Sequence, residues 1–138
     1  MTRVALALAA LALATGPARA IDGPALDYAV HCQGCHRADG SGTPGTIPPL
    51  AGSVGKFLHA QGGREFLVRV PGVSTSPLDD AALAAVLDWM LATFGGADVP
   101  RGFASYTAAE VGRLRADPLV DVEGVRLRLL EAAAAARK

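Results

Sequence analysis

Cys32-Gln33-Gly34-Cys35-His36 is the stretch on which the reading of this chain turns. Its two thiols are the only cysteines in 138 residues. A spacing of three puts both on one helical face, and an imidazole follows directly. This pattern reads as covalent haem attachment, in which the thiols add across two vinyl groups and the imidazole binds iron. Two other chemistries also use paired thiols. A redox dithiol belongs at the start of a helix that follows a β-strand, and a structural zinc site wants four ligands.

The flanks favour the first reading. Asp22-Gly23-Pro24 is a helix start, with Asp22 or Gly23 capping and Pro24 in the first turn. The predicted helix runs through Leu26, Tyr28 and Val30 into the motif and ends there, so no strand precedes the thiols. From Arg37 to Ser53 the chain is loop punctuation, with Asp39-Gly40-Ser41-Gly42, Pro44-Gly45 and Pro48-Pro49. A loop of that length in a small domain is suited to wrapping a cofactor.

The first twenty residues read as a signal peptide outside the fold. Arg3 is a short positive region, Val4 to Ala14 is apolar but too short to span a bilayer, and Ala18-Arg19-Ala20 has the form of a cleavage site. Export to a periplasm follows, where two lone cysteines are oxidised unless something consumes them. The full chain carries 13 basic and 13 acidic residues, and without Arg3 and Arg19 the balance is 11 to 13. No basic footprint for nucleic acid is present, and no membrane span is expected after cleavage.

Downstream, Val54 to Val70 is apolar, broken by Gly62-Gly63, and reads as one or two short helices. Ser76-Pro77-Leu78-Asp79 reads as a helix start capped by Ser76. Leu83, Val86, Leu87, Met90 and Leu91 then form a helical stripe that stops at Gly95-Gly96. Thr107-Ala108-Ala109-Glu110 opens a further helix through Leu114, ending before Pro118. Asp121 caps a last one, whose Ala132 to Ala136 run is expected to fray. The organisation is therefore a signal peptide (1–20), one helical domain (21–118) and a helical extension (119–138).

Tyr28 to Ser53, containing Cys32-Gln33-Gly34-Cys35-His36, Asp39-Gly40-Ser41-Gly42 and Pro48-Pro49-Leu50-Ala51-Gly52, resembles the bacterial class I c-type cytochromes. The resemblance implies an all-α fold wrapped around one haem c, here with an extra C-terminal helix. It also implies thioether bonds from Cys32 and Cys35, His36 as iron ligand, Pro48 offering its carbonyl to the imidazole's other N–H, and Leu50 packing on the haem. Its members carry single electrons between redox proteins. A dehydrogenase or membrane complex is the expected donor, and an oxidase or another cytochrome the acceptor.

The sixth iron ligand is the open point. The family usually supplies a methionine from a loop before the closing helix. Met90 is the methionine available after residue 20. If the helix opened by Thr107 closes the fold, Met90 falls at a suitable distance before it, and that register is the one expected. Its place on an apolar stripe fits core packing as well. His59 is the second candidate, and an open sixth position, as in gas-binding or peroxide-reactive haem proteins, is the third. His31 adjoins Cys32 and reads as structural. Trp89 reads as a core residue or a haem neighbour, and Arg64 and Arg69 as propionate partners or surface charges.

Overall fold

The computed structural model describes residues 23–137, so the predicted signal peptide lies outside them. Seven α-helices and two 3-10 segments are present among these residues, with one isolated antiparallel bridge between Thr43 and Ile47. The all-α expectation therefore holds.

Helix α1 (Gly23–His31) crosses α5 (Asp80–Phe94), the longest helix, and this crossing organises the core. Tyr28, 2% exposed, lies with its ring centroid 5.0 Å from Trp89 and 5.4 Å from Phe94. Helix α5 turns Leu83, Val86, Leu87, Met90, Leu91 and Phe94 inward, the 3.6-residue stripe expected for a core helix. Because α1 packs chiefly against α5, which itself packs on α6 (Ala108–Arg115), α5 is the helix that crosses α1 and closes the fold. The expected register, in which the Thr107 helix closes it, is corrected: Met90 lies within the helix that crosses α1 and not in the chain before it.

The start of α5 is also corrected. Asp79, not Ser76, is the cap, its Oδ1 accepting from the Ala82 N–H at 2.8 Å. The reason lies in Arg115 of α6, whose guanidinium donates to the carbonyls of Ser74, Ser76 and Leu78 and pairs with Asp80. Carbonyls drawn to that cation are not available to begin a helix at Ser76. Helix α6 starts as expected, with Thr107 Oγ1 accepting from the Glu110 N–H at 3.1 Å.

Before α5 stand a 3-10 helix (Val54–His59), α3 (Gly63–Arg69) and α4 (Pro71–Ser74). Arg64 of α3 meets Glu110 of α6 bidentately, with Nε–Oε1 at 2.6 Å and Nη2–Oε2 at 2.8 Å. It also donates to the Ala104 carbonyl at 2.7 Å and lies 3.9 Å from the Tyr106 ring centroid. Arg69 binds Asp117 by its carbonyl (2.7 Å) and its carboxylate (2.6 Å). Both arginines thus staple α3 to α6 and its C-terminal end, which corrects their reading as propionate partners.

The Arg64 hydrogen bond holds the Glu110 carboxyl below its usual range against a smaller opposing effect of burial. A carboxylate with a depressed folded pKa contributes stability that is complete above its unfolded value, about 4.3, and lost as pH falls through the folded value. Glu110→Gln is expected to cost on the order of 1–3 kcal/mol at neutral pH. The deficit should shrink below about pH 4; chemical denaturation of both proteins at several pH values checks it.

Helix α7 (Val122–Ala135) is capped by Asp121, which accepts from the Gly124 N–H at 2.9 Å. It lies along the Val54–His59 helix and buries Leu129 and Ala133. The alanine run is expected to fray, but the helix persists to Ala135 because Ala133 is packed, at 1% exposure, and Arg137 pairs with Asp98.

Candidate functional site

The continuous helix expected to carry the motif is two helices. Cys32, at φ −121° and ψ −36°, separates α1 from the single turn α2 (Gln33–His36). The motif is still one hydrogen-bonded unit. Cys32 N donates to the Tyr28 carbonyl at 2.9 Å, and the Cys32 carbonyl accepts from Cys35 N (3.2 Å) and His36 N (3.0 Å). Arg37 then turns the chain away at φ +62°, the sole non-glycine residue with positive φ among those described. The Tyr28 hydroxyl donates to its carbonyl at 2.8 Å and so buttresses the turn.

Both thiols are unbonded, Cys32 partly buried against the core and Cys35 exposed. Burial, then the nearby Asp27 and Cys35, push the Cys32 thiol up. His36 is half-buried, and its Nδ1 is buried without a hydrogen-bond partner of good geometry. Burial lowers the imidazole pKa, while the Pro48 carbonyl, facing the ring, works in the opposite direction.

Pro48 is delivered by a small hairpin in which Thr43 N donates to the Ile47 carbonyl at 2.9 Å and Ile47 N to the Thr43 carbonyl at 2.8 Å. Gly42 makes the approach possible. Its N–H donates to the His36 carbonyl at 3.1 Å, its φ is +69°, and a Cβ there would meet the Ile47 carbonyl and lie 2.8 Å from the Pro48 carbonyl oxygen. Gly42→Ala is therefore expected to destabilise by about 1–3 kcal/mol and to displace the Pro48 carbonyl. Gly45→Ala shares a positive φ but meets nothing, so it should cost only about 1 kcal/mol. Thermal melts of the two variants, with the His36 ring N–H resonance, check this.

Leu50 is held by a 2.8 Å bond from its N–H to the Gly40 carbonyl, and its side chain packs, partly buried, against the core. Gly40 in turn sits on the Phe94 ring, where a Cβ would come within 2.8 Å. The Gly/Pro loop is thus seated on α5, the helix that crosses α1.

Two unbonded thiols, a half-buried imidazole with a buried and unpartnered Nδ1, and the Pro48 carbonyl beside that ring make a donor set suited to haem c.

No family model matches the chain. It is 40% identical over 106 residues to cytochrome c-552 of Thermus thermophilus, a match covering 64% of this chain and 81% of that protein. A second Thermus thermophilus cytochrome c-552 matches at the same identity, with 72% of its length covered. The chain belongs to the monohaem class I c-type cytochromes. It is an electron-transfer protein, not an enzyme, and its cofactor is covalent haem c. The matched stretch of this cytochrome, 64% of 138 residues or about 88, is shorter than the 106 residues it matches, so the relatives carry additional residues inside it.

The two sixth-ligand candidates of the cytochrome, Met90 and His59, are dispersed, and so are His31 and Trp89. Met90 is 8% exposed within the core formed by α5 and its neighbours. His59 is tied elsewhere, its Nε2 lying 2.8 Å from the Asp98 carbonyl oxygen. His31 is exposed at the end of α1, and Trp89 is partly buried, packed on Tyr28 and Phe94.

Three contributors escape a sequence reading: Tyr28 as a buttress of the motif, Gly42 as the gap for Pro48, and Arg115 as the clamp on the segment before α5. A tyrosine four residues before Cys32 and a glycine six before Pro48 are visible signals. Nothing local marks Arg115, whose partners lie 35 to 41 residues away.

Proposed function

We propose that Cys32 and Cys35 anchor the haem by thioether bonds, that His36 is its iron ligand through Nε2, and that Pro48 and Leu50 complete that side. The chain then acts in the periplasm, taking single electrons from a dehydrogenase or membrane complex and passing them to an oxidase or another cytochrome. The observation that carries this reading is the presentation of two unbonded thiols and a half-buried imidazole on one turn, with the Pro48 carbonyl facing the ring.

When bound, the haem supplies reversible one-electron chemistry at iron. The chain's own residues do the rest. The Pro48 carbonyl favours a proton on Nδ1, which fixes the tautomer and leaves Nε2 basic. Gly42 and the Thr43–Ile47 bridge hold that carbonyl in place. Tyr28 and α5 brace the turn from behind. Among the described residues no helix is long and apolar enough to cross a membrane.

The test is a haem stain after denaturing electrophoresis of the full chain exported from a bacterial host, on separated periplasmic and cytoplasmic fractions. A stained band in the periplasmic fraction is expected. A colourless chain overturns the attachment, and a stained chain retained in the cytoplasm overturns the location.

A further inference from the structure

We infer that neither a thioether nor an imidazole of this chain takes the second axial position of its haem iron, so that this position is a binding site for small exogenous ligands of the class of carbon monoxide, cyanide and free imidazole. The inference rests on the attachment proposed above and concerns the opposite side of the iron.

The placement of α5 carries it. With α5 crossing α1, the segment before the closing helix is Val70 to Asp79, which reads Val-Pro-Gly-Val-Ser-Thr-Ser-Pro-Leu-Asp and holds no sulfur and no imidazole. It is also a fixed segment. Pro71–Ser74 is helical, Thr75 Oγ1 donates to the Pro71 carbonyl at 2.6 Å, and Arg115 holds the carbonyls of Ser74, Ser76 and Leu78. The cation that shifts the start of α5 to Asp80 therefore also closes down the stretch from which a ligand would come. The matched region, shorter here than in the two relatives, agrees with a contracted chain.

The donors that remain among the described residues are committed elsewhere. Met90 stands within α5, with Leu87 and Leu91, 1% and 2% exposed, one turn before it and directly after it, and its own side chain is buried with them. Reaching an iron would empty that place in the core. His59 engages the Asp98 carbonyl through Nε2 and so joins two 3-10 segments. His31, immediately before Cys32, is tied to the attachment turn itself, on the side of the iron that His36 serves.

The test uses the full-length holoprotein, reduced and oxidised, with Met90→Leu and His59→Gln beside the wild type. Met90→Leu nearly conserves volume, so the core is retained. The oxidised wild type is expected to lack a sulfur-to-iron charge-transfer band. The reduced protein is expected to convert fully to a carbon monoxide adduct with a displaced Soret band, and both variants to titrate as the wild type does. A sulfur-to-iron band that vanishes in Met90→Leu overturns the inference, as does a carbon monoxide-refractory wild type that becomes reactive in His59→Gln. A coloured protein refractory in all three forms overturns it too, whereas a colourless protein removes the attachment on which it rests.

Discussion

Cys32→Ala combined with Cys35→Ala is expected to abolish the haem band after denaturing electrophoresis, since no other thiol exists in the chain to hold the cofactor covalently. The single variants separate two contributions. Cys35 is exposed, so Cys35→Ala removes one anchor with little effect on packing, and the remaining thioether keeps a stained band. Cys32 is partly buried against the core, so Cys32→Ala additionally removes packed sulfur and should lower the stability of the folded chain by about 1 kcal/mol. Reducing conditions distinguish the reading from a dithiol oxidoreductase. A thioether survives a reductant, whereas a disulfide does not. Haem that stayed with the doubly substituted chain through denaturation would sink the assignment of both cysteines.

The candidate attachment site is legible in the sequence because its residues are near neighbours in the chain. Cys32, Cys35 and His36 lie on one turn, and Pro48 and Leu50 follow within fourteen residues of His36, where chain connectivity alone restricts their positions. The helices are legible for the same reason: the stripe from Leu83 to Leu91, the Thr107 cap and the Asp121 cap are patterns of neighbours. What local pattern does not contain is which helix crosses which. Helices α5 and α6 both begin with good caps, and only the aromatic contacts of Tyr28 with Trp89 and Phe94 decide that α5 lies across α1. The reading of Met90 depends on that choice. Arg64 and Arg69 mislead similarly and Arg115 goes unmarked, because the partners of a long cation are set by tertiary placement, here some 35 to 48 residues away.

The C-terminal helix shows the same division. Its cap and length follow from sequence, yet its role does not. By covering the Val54–His59 helix, α7 buries Leu129 and Ala133. Glu123 and Arg126 at its start line a shallow cleft with Pro44, Pro48 and Pro49. The extension is thus packed on the Val54–His59 helix with its start across a cleft from the Pro48 loop, and a small domain with few aromatics gains apolar burial from it.

Tyr28→Ala is expected to cost about 3–5 kcal/mol, because it removes the largest fully buried side chain at the crossing of α1 and α5 and takes one aromatic partner from each of Trp89 and Phe94. A domain of ordinary stability, about 5–15 kcal/mol, survives this only in part. Tyr28→Phe keeps the ring and removes just the hydroxyl that donates to Arg37, so about 1 kcal/mol is expected to be lost. The pair of variants thereby separates packing from the bond that braces the turn after His36. Alkaline pH supplies an independent check. Burial pushes the Tyr28 phenol up to about 12, with smaller contributions from Cys32 and Asp39. The folded state therefore favours the neutral hydroxyl, and the stability it contributes is complete below the unfolded value of about 10 and declines as pH rises from there towards the folded value. Tyr106, also raised by burial, loses stability in the same direction, so the informative quantity is the difference between wild type and Tyr28→Phe. That difference should be constant through neutral pH and narrow above about pH 10 as the wild-type phenol loses its proton on unfolding. A difference that stays flat through the alkaline range would mean that Tyr28 is not buried against α5 as described.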